Sequence, residues 1–342
     1  MTTTEPEAHE AAAEKVKSLA SGAALAAALG LAARFGIADL LKHGSRTAAH
    51  LARVLSLDED ALYRVLRILA AHGIFLEGSS RTFALTPLGA SLKSDAPGSA
   101  RAFAAMVVDE WSWRSLGELE YSVRTGRTAL PLLFRMDSAN EYFERRPEAA
   151  ALRNDVEAEE SRAAATALVA TGLLASAVHV VDVGGGDGGL LSALLEAHPG
   201  LVGTLVERPA VARGASDRLA EHLRNGRARI VAGDFLTAMP WGGDVYLIVN
   251  VLSSLDDAEA AALLSNVSSA RAAGGRVLVV EGLLRSGAYP AVTAESRDLL
   301  SLVATGGRER TIPELCRLFT AAGLVLESSR RLTRDMSLVE AR

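Results

Sequence analysis

The stretch Val178–Leu195 reads VHVVDVGGGDGGLLSALL. Its first half is rich in valine, a β-branched residue, as in the buried strands of parallel sheets. A turn made almost wholly of glycine follows, and the leucines after it recur at helical spacing. A strand, a glycine turn and a helix in succession place the free N–H groups of the helix, and its positive dipole end, at the edge of a sheet. We therefore predict a binding loop here, because glycines let a ligand lie against the backbone.

Two later acids suggest what that loop binds. Glu207 ends the strand-like run VGTLVE, and Asp234 with Phe235 ends the run RIVAGDF. The glycines at 184, 186 and 189 match G-x-G-x-x-G, so a dinucleotide is one interpretation. S-adenosylmethionine (SAM) is the other, with an acid at its ribose and a carboxylate and ring at its adenine. A purely structural role also exists for each acid, since strand ends often carry exposed Asp or Glu.

Composition limits the class of protein. The chain has 342 residues, of which 49% are hydrophobic and 23% charged, with a net charge of −5. We expect two domains, and neither nucleic acid nor an anionic membrane as a partner. The single cysteine, Cys316, excludes an internal disulfide. The apolar run 19–33 is shorter than the ~20 residues of a membrane span, and no secretory signal precedes it, so we expect a cytoplasmic enzyme.

The chain divides by pattern into four parts. We predict a disordered tail over 1–14, a winged-helix dimerisation domain over 15–96, a helical connector lining an acceptor pocket over 97–164, and a Rossmann-like domain over 165–342. Small residues on several faces of 15–41 favour a homodimer. The winged-helix order raises DNA binding as a hypothesis. The helix over 58–72 opens with three acids and offers only Arg64 and Arg67 in return, which opposes binding to phosphate.

Strands and helices alternate after residue 165. We predict strands at 178–183, 202–207, 228–232, 244–250, 275–281, 324–328 and 336–340. This pattern indicates an α/β fold with a doubly wound sheet, whose ligand binds at the carboxyl ends of the strands.

These motifs together resemble the plant caffeic-acid-type and bacterial polyketide O-methyltransferases, which are SAM-dependent. The matching segments are 181–189, 205–211, 233–235, 244–260 and 306–314. The resemblance implies an N-terminal winged-helix dimerisation domain, a Rossmann-like cofactor domain, and S-adenosylhomocysteine (SAH) as the product. It implies cofactor contacts from Asp182, Gly184, Gly185, Gly186, Glu207, Arg208, Asp234, Phe235 and Asn250. We expect the acceptor to contact Trp113, Tyr142, Asn154, Asn250 and Leu302, although the aromatic residues could equally fill a helix interface.

The catalytic position departs from the family pattern. Members with a general base carry histidine where this chain has Ser253, and a Ser hydroxyl cannot act as a base near neutral pH. Glu281 and Glu309 match the two acids that flank that histidine, so we expect all three positions to serve catalysis. Asp256 and Asp257 could hold a metal, but a helix cap at Ser254 with acids in the first turn is the better interpretation, and we predict no metal site. Thr311 and Glu314 read as a second cap, a capping box.

Three function classes remain. The first is an O-methyltransferase for an acidic phenol or enol of specialised metabolism, which acts chiefly by positioning, with Glu281 or Glu309 assisting proton removal. The second is an enzyme that binds SAM but performs a hydroxylation, decarboxylation or pericyclic reaction. The third is a DNA-binding regulator that senses SAM; an NAD enzyme is a further, weaker alternative.

Overall fold

A computed structural model describes residues 5–284 and 292–342. The chain divides into two compact units, the first ending at Trp113 and the second beginning at Arg114. This division does not coincide with the predicted boundaries at 96 and 164. One helix, Pro147–Thr171, runs through position 164 without interruption.

The first unit is mainly helical. Its antiparallel sheet has the strand order β1-β3-β2 and supplies the predicted wing, with the two-residue β1 as an unpredicted third strand. Leu51, Leu66, Phe75 and Phe83 are fully buried between the helices and this sheet. The elements are α1 (Glu5–Ala20), α2 (Gly22–Arg34), α3 (Ile37–Leu40), β1 (Arg46–Thr47), α4 (Ala48–Leu55), α5 (Glu59–Ala71), β2 (Phe75–Gly78), β3 (Thr82–Leu85), α6 (Pro87–Ala90), α7 (Arg101–Val107) and α8 (Glu110–Gly117), which contains the boundary.

The structure of the N-terminal segment bears on two expectations. Helix α1 begins at Glu5, so the prediction of disorder is wrong for residues 5–14, while 1–4 lie outside the described residues. Alanine and glutamate make up most of residues 5–14, and both favour helix. By length and composition alone, the helical stretch His9–Arg34 could cross a membrane, which the shorter apolar run had argued against. Core helices of soluble proteins and N-terminal signal sequences pass the same test, so this finding alone does not assign a membrane span.

The second unit is an α/β domain. Its elements are α9 (Leu119–Thr125), α10 (Ala129–Phe134), α11 (Ala139–Arg145), α12 (Pro147–Thr171), β4 (His179–Val183), α13 (Gly189–Ala197), β5 (Val202–Glu207), α14 (Pro209–Arg218), α15 (Ala220–Arg224), β6 (Ala228–Ala232), β7 (Val245–Val249), α16 (Asp257–Ala270), β8 (Arg276–Glu281), α17 (Val292–Ala304), α18 (Ile312–Ala321), β9 (Leu326–Arg331) and β10 (Ser337–Ala341). All seven predicted strands are present within about three residues of the predicted bounds.

The sheet has the order β6-β5-β4-β7-β8-β10-β9. Strands β4 to β8 pair in parallel, and β10 lies antiparallel to both β8 and β9. The direction of chain progress reverses between β4 and β7, so the ends of these two strands border the crevice where doubly wound sheets bind ligands. Apolar residues cover both faces of the sheet in two separate clusters. The predicted α/β fold is confirmed.

The two predicted helix caps differ in outcome. Thr311 and Glu314 form the capping box expected at α18, with a proline in its first turn. The prediction of Ser254 as the cap of α16 is wrong, because Asp256 caps that helix through a capping box with Glu259. Ser254 lies in a short 3₁₀ turn, where its hydroxyl donates to the carbonyl of Val251 (2.8 Å).

Candidate active site

The glycine loop lies between β4 and α13. Gly184, Gly186 and Gly188 adopt left-handed conformations, with φ of 68°, 58° and 76°, which glycine reaches without strain. A Cβ at Gly185 would collide with the carboxyl group of Asp182. A Cβ at Gly186 would meet nothing within 4 Å, so the loop faces open space there. The backbone is thus compact on its sheet side and accessible on the other.

Asp182, at the end of β4, is fully buried. Neither of its carboxyl oxygens has a hydrogen-bond partner among the described residues. Burial, followed by the charges of Glu207 and Asp187, raises the pKa of Asp182 to about 7. Unpartnered buried acceptors are rare because each is destabilising, so these oxygens are suited to the N–H or O–H donors of a ligand.

Glu207, at the end of β5, holds the glycine loop in place. Its two carboxyl oxygens accept hydrogen bonds from the backbone N–H groups of Gly186 (3.1 Å) and Arg208 (2.7 Å). Burial raises its pKa, and these two hydrogen bonds oppose the shift. The Arg208 side chain is partly exposed, with its Nε 3.9 Å from Glu207.

Three further predicted residues follow the next strands. Asp234 is exposed, and its carboxylate accepts a hydrogen bond from the N–H of Leu236 (2.9 Å). Phe235 is half-buried, and its ring edge lies 3.6 Å from the position of a Cβ on Gly184. Asn250, just beyond β7, has a φ of 54° and donates to Glu160 of α12 (2.7 Å).

Ser253 lies in a tightly fixed segment. The N–H of Leu252 donates to Glu281 (2.8 Å), and the carbonyl of Leu252 accepts from Arg310 (2.6 Å). Arg310 also donates to the carbonyl of Leu255 (2.9 Å) and pairs with Asp257 (2.9 Å). The buried guanidinium therefore anchors the chain on both sides of Ser253.

Glu281 and Glu309 form a buried carboxyl pair, and each leaves its Oε2 atom without a partner among the described residues. Burial raises the pKa of Glu281 to about 7, and hydrogen bonds from Ser253 and Leu252 oppose the shift. Burial, followed by the charge of Glu281, raises the pKa of Glu309 to about 8. Both carboxyls and Ser253 border a cavity of about 10 Å³, which is about the size of one water molecule. The pair can therefore take up or release a proton near neutral pH.

Sequence reasoning missed three residues of this site. Arg297 of α17 pairs with Glu160 (2.8 Å) and Glu309 (3.4 Å), and Arg310 anchors the Ser253 segment. Arg310 stands inside the segment 306–314 that carries the family resemblance, so that signal was available. Glu160 and Arg297 come from distant helices, and no local pattern links them.

The other predicted acceptor residues have different surroundings. The Tyr142 ring is buried and packs on Phe134 (4.6 Å between ring centroids) and Phe143 (5.5 Å), as the helix-interface alternative expects. Asn154 is exposed on α12, and Leu302 is half-buried on α17. Trp113 belongs to the first unit, where it borders a cavity of about 570 Å³. Their acceptor roles stay predictions.

Across residues 5–284 and 292–342, no group of three or more His, Cys, Asp or Glu side chains could hold a metal ion. Asp256 caps α16 and Asp257 pairs with Arg310 instead.

Comparison with known proteins identifies the family. Residues 114–325 match the O-methyltransferase domain, and residues 17–95 match the O-methyltransferase dimerisation domain. The mitomycin biosynthesis 6-O-methyltransferase of Streptomyces lavendulae is 36% identical over 94% of this chain and 92% of its own length. The chain belongs to the O-methyltransferase family. It is therefore a SAM-dependent enzyme, and its dimerisation domain indicates a homodimer.

Two solved structures of O-methyltransferases superpose on this chain. The mitomycin 7-O-methyltransferase MmcR has a TM-score of 0.89 and 35% identity, covering 98% of both chains. NcsB1 from neocarzinostatin biosynthesis, solved with SAM and 2-hydroxy-5-methyl naphthoic acid, has a TM-score of 0.78 and 34% identity, covering 92% of this chain and 95% of that one. The open glycine loop and the unpartnered Asp182 oxygens fit such a cofactor, whose ammonium and hydroxyl groups are donors.

Proposed function

We propose that this O-methyltransferase modifies an acidic phenolic or enolic hydroxyl of an aromatic, polyketide-type metabolite, and that it acts mainly by positioning. The observation that carries the proposal is the environment of Ser253. The residue stands beside two buried carboxyls of near-neutral pKa, where the resemblance expects a histidine. The histidines of the chain lie at 9, 43, 50, 72, 179, 198 and 222, outside the segments that form this side of the site.

The cofactor site is assigned to the loop and strand ends around β4. Asp182 and the glycines at 184, 185 and 186 would hold the methionine part, and Glu207 the ribose. When bound, SAM supplies an electrophilic methyl group to the acceptor oxygen. The remaining proposed contacts are Arg208, Asp234, Phe235 and Asn250.

The need to remove a proton limits which acceptor hydroxyls the enzyme can methylate. A simple phenol with a pKa of ~10 is mostly neutral near pH 7 and needs a base, whereas a more acidic hydroxyl is already ionised. Glu281 and Glu309, with pKa values of about 7 and about 8, are at least half protonated near pH 7, which leaves little free base and suits the second kind of hydroxyl. We assign them the removal of a residual proton, through Ser253 or a water in the cavity that borders all three.

Rigid placement supplies the rest of the rate acceleration. Arg310 and Glu281 hold both peptide groups of Leu252, so the backbone at Ser253 is fixed before substrate arrives. Fixed geometry of this kind lowers the entropic part of the barrier to methyl transfer.

The acceptor class rests on relatives and on the aromatic content of the helices. NcsB1 was solved with a hydroxynaphthoic acid, which supports a fused aromatic acceptor here. Asn250, Tyr142, Asn154, Leu302 and Trp113 are the proposed contacts. The natural-product context of these relatives supports a cytoplasmic biosynthetic role.

The test is incubation of the protein with methyl-labelled SAM and a panel of hydroxynaphthoates, hydroxyquinones and simple phenols. We expect label in the acidic acceptors and release of SAH in equal amount. Label in none of them would contradict the proposal. Conversion of an acceptor without SAH release would instead support the alternative, a non-methylating reaction on a SAM-bound scaffold, which the serine at 253 also permits.

A further inference from the structure

Arg297 is a half-buried cation in contact with two carboxyls from different parts of the second unit. Its Nη1 donates to Oε1 of Glu160 on α12 (2.8 Å), and its Nε lies 3.4 Å from Oε1 of Glu309. Its side chain is only 17% exposed. A guanidinium in such surroundings is weakly screened, so its charge acts strongly on both neighbours.

Gly282 makes room for this contact. A Cβ at position 282 would collide with Nη2 of Arg297 and would lie 3.4 Å from Oε2 of Glu309. The glycine follows Glu281 directly in the chain. The position of the guanidinium therefore depends on the absence of a side chain at residue 282.

We propose that Arg297 is a positioning residue, which orients Glu309 and sets the charge of the Glu281–Glu309 pair, and that Glu160 competes with the pair for the same guanidinium. This inference rests on the proposed function, in which the two carboxyls accept a proton.

The charges that face Glu309 from each neighbouring element agree with this role. Glu281 at the end of β8, Asp298 on α17 and Glu160 on α12 raise the pKa of Glu309, and Arg297 lowers it. Asp298 also accepts a hydrogen bond from the N–H of Glu309 (2.8 Å). Arg297 lowers the pKa of Glu281 as well.

Glu160 has its own neighbours. Burial raises its pKa, as do the charges of Glu157 and Asp335, whereas Arg297 lowers it. Asn250 donates to its second oxygen. The Arg297 guanidinium is thus shared between Glu160 and Glu309. When the charge of Glu160 is removed, the guanidinium interacts with Glu309 alone.

Arg297→Met and Glu160→Gln are therefore expected to shift the pKa of Glu309 in opposite directions. Arg297→Met removes the cation, so the Glu309 pKa rises, by about one unit or more. The pH at which kcat reaches half its maximum rises with it. Glu160→Gln removes a competing negative charge, so both quantities fall. Arg297→Lys keeps the charge and is expected to lie close to wild type, while Gly282→Ala displaces the guanidinium and shifts in the same direction as Arg297→Met.

The experiment measures two quantities on each variant. The first is measured with SAM saturating and the second with SAH saturating. The pH dependence of kcat is recorded with a hydroxynaphthoate whose hydroxyl is still partly protonated over the pH range, so that kcat reports removal of its proton. The protonated-carboxyl band is titrated by difference infrared spectroscopy, with Glu309→Gln identifying the band. We expect parallel shifts of opposite sign for Arg297→Met and Glu160→Gln, with the KM for SAM unchanged in Arg297→Met. If Arg297→Met does not fold, Gly282→Ala and Glu160→Gln are expected to give the same two opposite shifts of the Glu309 pKa.

The outcomes separate this inference from the function on which it rests. An infrared titration that is identical in all variants would overturn the role of Arg297. A shifted infrared titration with an unchanged kcat profile would uphold the control of the carboxyls by Arg297 and contradict their part in the proposed reaction.

Discussion

Asp182 is the residue at which binding and stability conflict most clearly. Its carboxyl is fully buried, and its pKa is raised from 3.8 to about 7. The folded protein therefore holds a proton that the unfolded chain releases between these two values, so folding stability falls as pH rises through that window. A shift of this size corresponds to a cost on the order of 4 kcal/mol above pH 7.

Asp182→Asn should remove this cost, because an amide stays neutral at every pH. We expect the cofactor-free variant to be more stable than wild type near pH 8, and by a smaller margin near pH 5 because part of the cost arises just above pH 3.8, and to bind SAH more weakly. Thermal unfolding across this pH range, with SAH calorimetry at pH 7, checks both parts. An unchanged pH dependence of the melting temperature would mean that Asp182 is already ionised in the folded protein.

Asp234→Ala tests the proposed adenine contact. The side chain is exposed and makes one local hydrogen bond, to the N–H of Leu236, so its loss should cost no more than about 1 kcal/mol of stability. A lost charge-assisted contact should weaken SAH binding by roughly 10-fold or more. The matched control is Asp217→Ala, which removes an exposed carboxylate from α14. Equal calorimetric affinity for the two variants would refute the assignment of Asp234.

At the scale of elements, the segment between β7 and α16 is fixed by a close backbone approach. A Cβ at Gly307 would lie 2.7 Å from the carbonyl carbon of Ser254 and would collide with the carbonyl oxygen of Ser253. Backbone atoms cannot move aside independently, so Gly307→Ala should displace the whole segment. We expect a fall in kcat of at least about 10-fold with little change in SAM affinity, since placement acts on the transition state.

Gly214→Ala is the control for that substitution. Gly214 lies within α14 with nothing near the position of its Cβ, so alanine should stabilise the helix by roughly 0.5–1 kcal/mol and leave kcat unchanged. Steady-state kinetics on both variants makes the comparison. Wild-type kcat in Gly307→Ala would show that the position of Ser253 does not limit the reaction.

The sequence predicts the elements better than it predicts their ends. The valine run at β4 and the glycine loop identify the strand, the turn and the helix, because their patterns are local. The cap of α16 was assigned to Ser254 instead of Asp256, since both residues are good caps and only the extended conformation of Leu255 separates them. The antiparallel pairing of β10 was not predicted, because strand direction depends on the path of distant loops.

The candidate site likewise contains residues that local sequence predicts and residues that only the fold brings together. Glu207 and Asp234 follow strand ends, so their place at one edge of the sheet follows from the topology. The pairing of Arg297 with Glu160 joins residues 137 positions apart, and only the folded chain brings them together. Burial also shifts pKa values, which composition alone cannot predict. The pKa of Glu309, which burial raises to about 8, is an example.

At the scale of the whole molecule, the proposed mechanism combines an intact cofactor loop with carboxyls that are at least half protonated near pH 7. Such an enzyme should depend on the acidity of its acceptor in a way that an enzyme whose base is unprotonated near pH 7 does not. Ser253→His would add an imidazole at the same place, whose pKa of about 6.5 leaves it mostly unprotonated near pH 7, and should reduce that dependence by accelerating neutral phenols selectively.

The most direct test is the rate of methyl transfer, at saturating SAM and about pH 7, across a series of aromatic hydroxyl acceptors with pKa values from about 6 to about 10. We predict that kcat follows the ionised fraction of the acceptor and falls steeply toward the simple phenols. A simple phenol methylated as fast as the most acidic acceptor would contradict catalysis by positioning and require a base that is unprotonated near pH 7.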